Sequence, residues 1–213
     1  MRARSRISAA CGGPRVAVRT HARDYVPAAE VALDARVVSV GVWLFLAADL
    51  FFFAGWWFAF FYLRALNNNQ AWMINGLTRP NRAYGLVVLL LAIGSAATFY
   101  LISRVAPRTT LFRLLGPVAL VLGLAACIFQ GYGMWHLGFG LTQGGYPSEF
   151  SGLTGSWLIQ LLFAVGWLAT IVAQRRPAGD TVIRPHSAAA FGRILLFLAA
   201  VAVINYLLLY FVA

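Results

Sequence analysis

The chain has 213 residues, 61% of them hydrophobic and only 11% charged, with a formal net charge of +11. So little charge excludes an ordinary soluble domain of this size. The basic surplus is not a nucleic-acid signature, because the 17 arginines flank long apolar stretches rather than forming one patch.

Residues 1–36 read as an Arg-rich tail, expected on the cytoplasmic side, with no acid before Asp24. That composition is like a transit peptide, but no apolar core follows until Val37, so the tail is not a secretory signal. Residues 37–213 then read as one domain of five apolar stretches: Val37–Leu63, Tyr84–Ile102, Leu114–Met134, Trp157–Ala173 and Ile194–Val212. Each reaches the roughly 17–25 residues that a helix needs to cross a hydrocarbon core of about 30 Å. The expected fold is an all-α membrane protein, a five-transmembrane-helix bundle. Pro107 marks the turn between spans 2 and 3, and Pro117 falls near the start of span 3, where a missing N–H costs little. Residues 138–155, rich in Gly with Pro147 and Glu149, read as a loop, and Pro177 and Pro185 bracket the last connection.

The arginines orient the bundle. Seven lie in the tail, three (Arg104, Arg108, Arg113) around the second turn and four (Arg175, Arg176, Arg184, Arg193) in the fourth. Only Arg64, Arg79 and Arg82 fall on the other side, so fourteen stand against three. By the positive-inside rule the chain is N-in and C-out, and a multi-pass protein of the inner (cytoplasmic) membrane of a bacterium is expected. Cys11 and Cys127 sit in the tail and inside span 3, too far apart in depth for a disulfide.

Function has to reside in the few polar groups left inside the spans. Asp49 stands near the middle of span 1 in Trp43-Leu-Phe-Leu-Ala-Ala-Asp-Leu-Phe-Phe-Phe. A carboxyl at that depth costs several kcal/mol unless it is paired, protonated or hydrated, so it is the first functional candidate. No Lys or Arg matches its depth, which leaves a neutral donor, water or another subunit as its partner. A protonated, purely structural Asp49 is the plainer alternative. Gln130 in span 3, Gln160 near the outer end of span 4 and Asn205 in span 5 read as helix–helix polar contacts. His136 is the one histidine near the membrane, and one histidine supplies neither a haem ligand pair nor a metal site. The chain shows no phosphate loop and no nucleophile–base–acid set, so no catalytic residue, cofactor site or metal site of its own is expected.

The stretch Val40–Arg64 resembles subunit III of the haem-copper oxidases, whose signature there runs roughly G-M-W-L-F-L-A-S-E-x-M-F-F-x-G and closes on Y-L-R. Gly41, Trp43, Leu44, Phe45, Leu46, Ala47, Phe52, Phe53, Gly55, Tyr62 and Arg64 match it. Asp49 falls on the family's membrane glutamate, one methylene shorter. Gln130 falls on the glutamine of Q-x-x-E-Y, with Gly133 at the glutamate position. Thr154-Gly155 resembles the T-G of T-G-x-H-G-x-H-V, with Trp157 and Gln160 at the two histidine positions.

That resemblance implies a divergent five-helix member, a non-catalytic accessory subunit of a cytochrome c or quinol oxidase in an aerobic respiratory chain. It implies packing on the catalytic subunit I, with haem and copper in partner subunits and none in this chain. It implies bound phospholipids, with Trp56, Trp57, Arg64 and Arg82 as candidate lipid contacts, and Asp49 as a carboxyl supporting proton uptake or anchoring the interface. Two alternatives stand beside it: the related partner of nitric oxide reductases, and a small proton- or ion-coupled transporter using Asp49.

Overall fold

The computed structural model describes residues 28–67, 72–73, 76–104, 110–173 and 185–212. Among these the chain is all-helical, without strands: α1 (Ala28–Ala65), α2 (Arg82–Ser103), α3 (Thr110–Trp135), α4 (Gly145–Ala173) and α5 (Pro185–Leu207), the last closing in a π-helical turn, Leu208–Val212. All five are long and apolar enough to cross a membrane, the shortest candidate span having 22 residues, or about 33 Å at 1.5 Å per residue.

The helix starts follow from local chemistry. Asn81 caps α2 by accepting from the Ala83 N–H at 2.9 Å. Pro185 opens α5 at its first position, where its fixed φ suits a helix and its missing N–H is not needed. Gly144 precedes α4 with φ +122°, a conformation that L residues rarely adopt. Pro147 then sits in the first turn of α4, and the Ser148 hydroxyl donates back to the Leu141 carbonyl at 2.5 Å.

Several boundaries differ from the sequence reading, and α5 begins at Pro185 rather than Ile194. Ala28–Arg36, read as tail, forms the first turns of α1. Pro117 lies inside α3, beyond its first turn, because α3 begins at Thr110 rather than Leu114. The largest difference is α4, which begins at Gly145 rather than Trp157 and takes up most of the expected loop. The tail arginines up to Arg23, Cys11, Pro107, Pro177 and the loop arginines Arg108, Arg175, Arg176 and Arg184 lie outside the described residues.

Helix α2 packs on α3 and α5, α4 packs on α3, and α1 lies against α4 and α5. The core is aromatic and small in alternation: Phe53, Phe60, Phe99, Leu153 and Leu168 are closed off beside Ala119 and Ala126. Side chains tie the helices through backbone carbonyls. Ser95 donates to Ala119 at 2.7 Å, joining α2 to α3, and Trp157 donates to Leu198 at 2.9 Å, joining α4 to α5. These bonds satisfy donors that would otherwise be stranded in an apolar medium.

Candidate functional site

The site is a seam between α1 and α4. The two helices run antiparallel: Leu63 meets Gly145, Trp56 meets Gly152, and Asp49 meets Gln160. On α4 these contacts fall on one helical face, seven and eight residues apart, and Glu149 and Ser156 lie between them on the same face, so that successive members are three or four residues apart. On α1 the facing row is Asp49, Phe53, Trp56 and Phe60. Gly152 is what lets the helices approach here, since a Cβ at that position would lie 2.5 Å from the Trp56 ring.

Asp49 is 8% exposed and lies close to the middle of the 31-residue span Ala35–Ala65. Gln160 Nε2 donates to its Oδ1 at 2.6 Å, so the neutral donor that its depth demanded is an amide of α4. Gln160 lies midway along α4, not near its end as the shorter span placed it, and for that reason it reaches Asp49. Its own Oε1 is buried without a hydrogen-bond partner.

Glu149 is a second membrane carboxyl that the sequence reading left in a loop. It lies in the second turn of α4, is 4% exposed, and its Oε2 has no hydrogen-bond partner. The seam register sets it at the level of Phe60, about 16 Å along the helix from Gln160 at 1.5 Å per residue. The two buried acids thus share one helix pair but not one site: Asp49 has a donor, and the second oxygen of Glu149 has none. The signal available in the sequence was Pro147 two residues earlier, which suits the first turn of a helix better than the middle of a loop.

The other sequence candidates separate into two groups. Asn205 Oδ1 accepts from Trp57 Nε1 at 2.9 Å, linking α5 to α1. Gln130, Thr154 and Asn205 line one cavity of about 40 Å³ among α2, α3, α4 and α5. Trp56 and Trp57, named as lipid contacts, are half-buried and turned into the bundle at Gly152 and Asn205. The outward face of α1 carries Trp43, Leu44, Phe51 and Phe58 instead, with Phe51 78% exposed. Arg64 is exposed in the last turn of α1, and Arg82 stacks its guanidinium 5.2 Å from the Phe211 ring centre. Gly133, where the resemblance has a glutamate, faces the Tyr84 ring so closely that a Cβ would lie 2.6 Å from it; any longer side chain has to displace Tyr84.

Among the described residues no group of three or more His, Cys, Asp or Glu side chains is placed to hold a metal ion. No protein-family model matches the chain, and no curated protein matches it.

Proposed function

We propose that this chain is a subunit III-like accessory component of a haem-copper terminal oxidase, set N-in and C-out in a bacterial inner membrane. The observation that carries the proposal is the Asp49 carboxyl, buried mid-span at the α1–α4 seam and held by the Gln160 amide within the motif Val40–Arg64. A proton-active group needs both features: a position away from water, where ionisation is costly, and a neutral hydrogen-bond partner that stabilises either form. The five spans and the fourteen-to-three sorting of arginines support the same layout.

In this proposal the weakly buried helix is the docking element. Only 17% of the most apolar window of α1 is buried, against 44% for α2 and α5. The exposed row Trp43, Leu44, Phe51 and Phe58 would pack on the catalytic subunit I or on phospholipid between the two. Haem and copper belong to the partner subunits, and this chain contributes a carboxyl and a lipid-facing surface. The electron donor, cytochrome c or quinol, is bound elsewhere in the complex.

Glu149 favours a second reading, a small proton- or ion-coupled transporter, because both buried carboxyls lie on one seam. One experiment separates the two. The tagged chain is purified in mild detergent, and co-purifying proteins are identified together with their haem spectra. A stoichiometric haem-copper catalytic subunit is expected. In that complex Asp49→Asn should assemble normally and lose activity faster during turnover than the parent. A haem-containing nitric oxide reductase as partner would move the chain to the related accessory family. A solitary colourless protein with Asp49-dependent ion flux would establish the transporter.

A further inference from the structure

A cavity of about 450 Å³ opens at the end of the bundle where α2 begins and α3 ends. Its size is that of a ligand site rather than a packing defect. No described residue of α1 lines it, so it is separate from the Asp49 seam.

Its two ends differ in chemistry. The rim carries Arg79, Asn81 and His136, all exposed. Arg79 brings a permanent positive charge in a planar fork that suits phosphate or carboxylate oxygens. The Asn81 side chain is already committed to capping α2, accepting from Ala83. The His136 ring stacks 4.0 Å from the Tyr132 ring centre, and its Nδ1 lies 3.0 Å from the Tyr132 carbonyl oxygen, which fixes the ring and leaves Nε2 for a ligand. The wall is aromatic: Tyr84, Phe139, Phe150 and Tyr210, with the Gln130 amide among them. No Asp or Glu is among the described residues that line the cavity. Glu149 is adjacent in sequence to Phe150 but does not contribute to the lining.

A positive rim without a carboxylate selects against cations and for an anion. An aromatic wall behind that rim selects for an anion joined to an apolar body. The cavity also lies at the ends of helices long enough to cross a membrane, at the depth where lipid phosphates concentrate. We propose that this cavity binds the phosphate group of an anionic phospholipid, with Arg79 and His136 on the phosphate and the glycerol and upper acyl chain on the Tyr84–Phe150–Tyr210 wall. A soluble phosphate-bearing molecule shares the head chemistry but makes no use of the wall.

The test uses the full chain, stripped of lipid in detergent and titrated with dihexanoyl phosphatidylglycerol, dihexanoyl phosphatidylcholine or inorganic phosphate, with bound molecules counted by native mass spectrometry. One phosphatidylglycerol per chain is expected, bound in preference to phosphatidylcholine. Arg79→Gln should weaken that binding about tenfold or more, as expected for loss of a charge-assisted hydrogen bond. Arg104→Gln removes an exposed charge at the opposite end of α2, outside the cavity, and should leave this binding unchanged. If Arg79→Gln does not fold, judged by circular dichroism and gel filtration, His136→Gln is the second variant and should weaken binding in the same sense. Inorganic phosphate binding alone, with the same dependence on Arg79, would keep the anion site and reassign its source to a soluble molecule. Equal binding of both lipids, unaffected by either substitution, would overturn the proposal.

Discussion

Asp49 and Glu149 stand on the same helix pair and meet opposite fates. Asp49 sits near the middle of the candidate span Ala35–Ala65 with an amide donor 2.6 Å away. Glu149 sits about 16 Å along the helix from that donor, at the level of Phe60, with one oxygen lacking a partner among the described residues. A carboxyl with a built partner is a designed polar contact; a carboxyl without one is a group whose burial is tolerated by the surrounding packing. The difference makes Asp49, and not Glu149, the built polar contact of the seam. It also yields three tests, each of which breaks the seam at a different level.

The largest effect should come from the packing that both acids share. Gly152→Leu places a branched side chain where a single Cβ would already lie 2.5 Å from the Trp56 ring. Trp56 belongs to α1 and packs against the buried core, so its ring has to shift to make room. Overpacking of this kind costs about 3 kcal/mol at the upper end of its usual range. A chain that unfolds at a clearly lower denaturant concentration, with α1 becoming protease-sensitive, is the expected outcome. Unchanged stability would mean that α1 does not pack on α4 through this face.

The shape of this seam was only partly legible in the sequence. Hydropathy alone locates all five helices, because no other arrangement hides so many apolar residues in a row. Asp49 was legible for the same reason, as the one charge interrupting an aromatic run. Glu149 was not, because Gly144, Gly145, Pro147 and Ser148 have loop chemistry when read singly. In three dimensions those residues are the start of a helix, with a left-handed Gly144 before it and a proline in its first turn. Moving that start by twelve residues, from Trp157 to Gly145, also moved Gln160 from the end of a span to its middle. The Asp49–Gln160 pair was therefore invisible until the helix start was known. The cavity at Arg79 and His136 was invisible for a different reason, since its walls come from α2, α3, α4, the turn that closes α5 and two connections, which no sequence spacing relates.

A smaller effect isolates the polar pair. Gln160→Leu leaves Asp49 without its donor, at a cost of about 1–2 kcal/mol for a stranded buried polar group. Replacing both partners, as Asp49→Leu with Gln160→Leu, should recover most of that loss, because the unsatisfied group has gone. The double-mutant cycle measured by denaturant unfolding reads the coupling directly. Additive losses in the cycle would show that the 2.6 Å contact carries no stability of its own.

The smallest effect should be at Glu149, and it is the sharpest comparison of the three. Glu149→Gln should change stability by less than about 0.5 kcal/mol, since it keeps the volume and its Oε2 has no hydrogen bond to lose. Glu149→Leu should be neutral or stabilising, because an apolar group of similar size replaces a polar one that the packing leaves unsatisfied. The same substitution at Asp49 should destabilise, because it strands the Gln160 amide. Opposite signs for Glu149→Leu and Asp49→Leu would confirm that one acid is built into the seam and the other merely accommodated by it. If Glu149→Leu proved as costly as Asp49→Leu, Glu149 would have a partner in the working assembly. The second carboxyl would then join the first as a group that the membrane-embedded complex uses.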